Sequence, residues 1–121
     1  MLATRYKFSP RTIPGFFSQA KRSRKSGYSI LVLPIKEQQL SSKLAVVLVS
    51  SAAKTAIKRH AVKRSVYHYL EQWVASGGLQ TLAQKGHLFY LVVVIEDWQR
   101  AQGQLRTQDW QETVEYLLEH V

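Results

Sequence analysis

The chain has 121 residues, 45% hydrophobic and 21% charged, which suits one compact domain over 1–121 with a single core rather than a two-domain enzyme. Lys and Arg number 17 against 8 Asp and Glu, a net charge of +9, and the absence of Cys excludes disulfides, thiolate nucleophiles and Cys-ligated metal sites. The longest apolar run, 88–95, is far short of the ~20 residues a membrane-spanning helix needs, so a soluble cytoplasmic protein with no membrane partner is expected.

Charge is polarised along the chain. Residues 1–70 hold 14 basic residues and one acid, Glu37, whereas residues 71–121 hold three basic and seven acidic. Like charge at that density opposes compaction unless a polyanion neutralises it, which favours a nucleic-acid partner over mere solubility. An acid-free start rich in Arg, Lys and Ser also describes an organellar transit peptide, but Pro10 and Pro14 interrupt the long helix such a peptide forms.

In chain order, Ser9 and Pro10 mark a helix start, with Ile13, Phe16, Phe17 and Ala20 at near-helical spacing. Residues 21–25, Lys-Arg-Ser-Arg-Lys, read as an exposed basic loop, 28–35 as a strand closing at Pro34, and 36–43 as a loop. The unbroken β-favouring runs 44–49 and 88–95 predict central strands covered on both faces. Between them 53–74 has no Gly or Pro and ends at Gly77-Gly78, which predicts a helix. Val62, Val66, Tyr69, Leu70 and Trp73 fall in one arc of it, fit to lie on a sheet. A last helix is predicted from Asp109, with Glu112 completing a capping box and Trp110, Val114, Leu117 and Leu118 facing inward. The fold class is therefore α+β, in the order α-β-β-α-β-α.

No side-chain active site emerges. Glu96 and Asp97 are adjacent, so their side chains diverge at a strand end and read as turn-formers rather than as the metal clamp of a self-sufficient nuclease. His60, His68, His87 and His120 follow no zinc-ligand spacing, and the glycines build no phosphate loop.

What stands out is the start of the central helix: Lys54, Lys58, Arg59, His60, Lys63 and Arg64. Arg59 and Lys63 are i, i+4 neighbours, His60, Arg64 and His68 form a second ridge, and Arg59 lies at the edge of the apolar arc. Here the chain resembles the protein component of bacterial ribonuclease P, whose motif after a central strand is Ser-Lys-Lys, then Gly-x-Ala-Val-x-Arg-Asn-Arg-x-x-Lys-Arg. Ser50, Ala56, Ile57 and Arg59 stand in corresponding places, and Val62, Lys63 and Arg64 follow, the paired cations one position earlier than in that pattern. Ile13, Phe16, Phe17 and Ala20 look like the family's Phe-x-x-Val-Phe-x-x-Gly stretch. The departures are His60 for Asn, Ala61 for the second Arg, Ser51 and Ala52 for the paired lysines, Lys54 for Gly and Tyr67 for a later Arg, which marks a divergent member.

The resemblance implies a small sheet with a left-handed β-α-β crossover, like the second domain of the fifth small-subunit ribosomal protein. It implies a ribonuclease P subunit that binds the catalytic RNA and the 5′ leader of precursor tRNA, with Mg²⁺ held mainly by the RNA and no catalytic or metal-ligating residue in this chain. Contact with the catalytic RNA falls to Arg59, His60, Lys63, Arg64 and Lys58. Leader contact falls to Phe16, Phe17 and Tyr28, where burial in the core is the competing reading for the two Phe residues. Lys21, Arg22, Arg24, Lys25 and Lys54 would add phosphate contacts. The alternative is a generic basic RNA-binding or ribosome-associated domain with no processing role.

Overall fold

A computed structural model describes residues 2–35, 41–49 and 54–120. Four strands, β1 (Lys21–Arg24), β2 (Tyr28–Pro34), β3 (Lys43–Leu48) and β4 (Phe89–Ile95), form one mixed sheet in the order β1-β2-β4-β3. β2 runs antiparallel to β1 and β4, while β3 and β4 are parallel neighbours. Parallel neighbours need a long connection, and it is supplied by α2 (Ala56–Ala75) and the short α3 (Gly78–Gln84). After β4 come a helical turn, α4 (Trp98–Ala101), and α5 (Thr107–Glu119).

Strand alternation divides the core between the two faces of the sheet. Tyr28, Ile30 and Val32 of β2, Leu44 and Val46 of β3 and Phe89, Leu91, Val93 and Ile95 of β4 face the helices. They meet Val62, Val66, Leu70 and Trp73 of α2 and Trp110, Val114, Leu117 and Leu118 of α5. The apolar arcs foreseen in both long helices are the ones that pack, each large side chain contributing roughly 1.5–3 kcal/mol of burial; Tyr69 lies only partly buried at the rim.

The second face carries Leu31, Ala45, Val92 and Val94, covered by Phe16 of the short α1 (Phe16–Gln19). The segment ahead of α1 runs along the outer edge of β3, where Lys7 bridges to Leu44 and the Phe8 N–H donates to the Leu44 carbonyl at 3.3 Å. Gly15, at φ 72°, turns the chain from this edge into α1.

Several boundaries differ from the sequence reading. Residues 21–24 are not a loop but an edge strand, because a cationic strand at an edge needs only one ladder and keeps its charges in water. The order is thus α-β-β-β-α-β-α with α3 and α4 added. Ser9-Pro10 opens only a 3-10 turn, Pro10–Thr12, and α1 begins at Phe16. Gly77, at φ 87°, ends α2 and at once starts α3. α5 starts two residues before Asp109 with no side-chain cap, so the expected capping box does not form. Most of the 36–43 loop lies outside the described residues.

Candidate nucleic-acid interface

α2 places its basic residues by ordinary helical spacing. Thr55 caps it, its hydroxyl accepting from the Lys58 N–H at 3.1 Å, and the first turn carries no acid. Ala56, Arg59, His60, Lys63 and Tyr67 then form a stripe beside the buried one, along the outer edge of β3. The opposite wall is the N-terminal segment with Phe8, Arg11 and Phe17, and the floor is β3 from Ala45 to Leu48. The groove so enclosed measures about 750 Å³, and among the described residues no acid lines it. Cations at a helix N-terminus add to the positive end of its dipole, so this wall attracts anions.

Arg59 is half-buried, its guanidinium donating to the Val49 carbonyl at 3.1 Å and the Leu48 carbonyl at 3.0 Å. It fastens α2 to the end of β3 while lining the groove. Lys63 and His60 are exposed. Burial raises the Tyr67 phenol pKa, a hydrogen bond with the Val46 backbone works against it, and Lys7 Nζ sits over the ring at 5.0 Å.

The groove brings together four of the residues singled out from sequence: Phe17, Arg59, His60 and Lys63. Phe17 is 50% exposed and presents an open ring. Phe16 is 1% exposed and packs beneath it, ring centroids 5.4 Å apart, so its role is support. Tyr28 must be corrected: it is 1% exposed on the helix side of the sheet, where its hydroxyl accepts from Trp110 Nε1 at 3.3 Å and donates to the Gln104 carbonyl at 3.4 Å. A leader strand in the groove cannot reach it.

Arg64 lies on the other flank of α2, in a separate cavity. Arg22 and Arg24 pair with Leu31 and Ser29 and so lie on the second face of the sheet, at the edge farthest from the groove. Lys21 pairs with Val32 on the helix side, its ammonium donating to the His120 carbonyl at 3.1 Å. The Lys25 N–H closes the β1–β2 turn on the Tyr28 carbonyl at 2.8 Å, while Lys54 and Lys58 are exposed at the start of α2.

Sequence reasoning missed Phe8, Arg11 and Tyr67 in the groove, and Tyr90. Phe8 also lines a second hollow of about 520 Å³ on the same face with Tyr90, its ring centroid 4.9 Å from that tyrosine. Strand alternation put Tyr90 with Val92 and Val94, but nothing local told which face stays open.

A four-stranded mixed sheet with its long helices on one face, and a cationic, aromatic-walled groove over the outer edge of β3 between α2 and the N-terminal segment, defines a small basic α+β protein. In fold the chain is similar to the Staphylococcus aureus RNase P protein, with a TM-score of 0.58 over 94% of this chain and 93% of that one, at 12% identity. It is likewise similar to the RNase P protein of Thermotoga maritima, with a TM-score of 0.57 over 95% of this chain and 96% of that one, at 17% identity. The same Thermotoga maritima protein in complex with 1-(4-fluorophenyl)-2-thiourea gives 0.56 over 95% and 99%, at 17% identity. No protein-family model matches the sequence, and no curated protein matches it either. The chain shares the fold of these ribonuclease P proteins at low sequence identity.

Proposed function

We propose that this chain is the protein subunit of a ribonuclease P and assists endonucleolytic removal of the 5′ leader from precursor tRNA. The observation that carries this reading is the groove: Phe17 stands with Arg59, His60 and Lys63 around the β3 edge of a sheet with the ribonuclease P protein fold. Single-stranded RNA is held by cations along its backbone and by aromatic faces under its bases, each stack contributing roughly 1–3 kcal/mol. Phe17 offers such a face, and Lys63 and His60 stand where phosphates would run.

Bond cleavage falls to the RNA partner. In this reading the reaction uses Mg²⁺ and the ion would be held mainly by the RNA. Glu96 accepts a hydrogen bond from the Ser29 hydroxyl at 2.8 Å, and the Asp97 carboxylate caps α4 by accepting from the Arg100 N–H at 3.4 Å. Both acids therefore have structural work.

Reconstitution tests the reading. Mixed with a bacterial ribonuclease P RNA lacking its own protein, the chain should restore leader cleavage at low Mg²⁺. RNA binding without any gain in cleavage would favour the generic RNA-binding domain. Cleavage by the chain alone, abolished by Glu96→Gln, would make it a nuclease in its own right.

A further inference from the structure

On the flank of α2 facing away from the groove, a cavity of about 440 Å³ opens between the helix and residues 98–103. Its lining includes Arg64, His68, Tyr69, Trp98 and Gln102, with no acid among the described residues. Arg64 and His68 are i, i+4 neighbours, so both reach the same mouth. His68 and Tyr69 lie with ring centroids 6.5 Å apart, and His68 Nε2 is 3.2 Å from Gln72 Nε2. Tyr69 and Trp98 are partly buried against the core, which fixes their rings.

The turn bearing Trp98 is itself pinned. The Glu96 and Asp97 N–H groups both donate to the Gly27 carbonyl at 2.9 Å. Gly27 has φ 80°, and a Cβ there would lie 2.5 Å from the Ala101 nitrogen, so only glycine permits this approach. The cavity is thus preorganised, with two rigid aromatic side chains, a side-chain amide able to donate and accept, and a guanidinium at its mouth. That combination suits a planar heteroaromatic ring carrying an anion.

We propose that this cavity is a second RNA site, separate from the groove, in which Trp98 and Tyr69 receive an unpaired base and Arg64 holds its phosphate. The site rests on the reading of the chain as an RNA-binding protein. Its position gives Arg64 a purpose that the groove cannot, since Lys63 and Arg64 diverge to opposite flanks of one helix. A basic residue beside three aromatic rings fits a nucleotide better than an apolar peptide, and Arg64 belongs to the strongly cationic half of the chain.

Trp98 reports on its own cavity, because Trp73 and Trp110 are 2% and 0% exposed. The full chain is titrated to saturation with a short end-labelled single-stranded RNA while polarisation of the label and tryptophan emission are followed together. Binding should quench the emission. Trp98→Phe should remove the quenching yet keep the polarisation rise, and Arg64→Ala should move the quenching midpoint up about tenfold. Phe17→Ala, in the groove, should leave the quenching in place. A polarisation rise with unchanged emission, or quenching that survives Trp98→Phe, overturns the second site and leaves the groove standing. Flat polarisation overturns the RNA-binding reading along with it.

Discussion

Gly78 lies against the edge of the Trp73 indole, and a Cβ there would come within 2.1 Å of Trp73 Nε1. That nitrogen donates to Gln111 Oε1 at 2.9 Å and joins α2 to α5, so the indole cannot step aside without losing the bond. Gly78→Ala should therefore cost roughly 1–3 kcal/mol, seen as a lower urea midpoint; a neutral substitution would mean the α2–α3 corner yields freely. Tyr28 adds a pH dependence. Burial raises its phenol pKa, the Trp110 hydrogen bond opposes this, and Asp109 reinforces it. The folded chain thus holds the phenolic proton more tightly than the unfolded one. This contribution is complete below the unfolded value of about 10 and is lost as pH climbs through the folded pKa. Stability should fall above about pH 10, and Tyr28→Phe should lessen the fall, with Tyr67, raised by burial in the same way, leaving a remainder. An identical alkaline drop in Tyr28→Phe would assign it to other groups.

The junction of α2 with β3 separates two cations that look equivalent in the motif. Arg59 supplies donors to the Leu48 and Val49 carbonyls at the end of an edge strand, whereas Lys63, one turn later, is exposed in the groove. Arg59→Ala should lower stability by roughly 1.5–3 kcal/mol, the range for hydrogen bonds to charged groups, and should also disturb the groove. Lys63→Ala should stay within about 0.5 kcal/mol of the parent in thermal unfolding while weakening RNA binding. Equal losses of stability would show that Lys63 too is a strut. Elements that bury a periodic apolar face, such as β2, β4, α2 and α5, could be read from sequence because that burial decides their conformation. β1 could not: Lys-Arg-Ser-Arg has no apolar side to bury, and its strand form is imposed by β2 alone. The groove was half legible for a related reason. Helical spacing puts Arg59, His60 and Lys63 on one stripe, but Phe8 and Arg11 reach it through the edge contact of residues 7 and 8 with Leu44, which no local pattern announces. Tyr28 failed as a site residue because alternation fixes that it faces the same way as Ile30 and Val32, not which face the long helices cover.

At the scale of the whole molecule, the acids of α5 and the cations of the groove lie apart. The exposed acids of α5, Asp109, Glu112 and Glu119, sit on the layer beyond the helix side of the sheet, while Glu115 pairs with Lys85. Arg11, Arg59 and Lys63 line the groove at the outer edge of β3, and Arg22 and Arg24 lie on the second face of the sheet at its opposite edge. Such an arrangement orients an approaching polyanion before any contact forms and makes affinity depend on the counterions that contact releases. With ~5 phosphates neutralised, a single-stranded RNA should give a log–log salt slope near −3.5, so that affinity drops about 100-fold between roughly 50 and 200 mM salt. Removing one groove cation, as in Lys63→Ala, should reduce that slope by about 0.7 and leave the stacking on Phe17 unchanged. Phe17→Ala should do the reverse, lowering affinity at every salt concentration by a constant factor, because a stack releases no counterion. If the two variants changed slope and intercept alike, the cations and the ring would not be reading one strand in one groove.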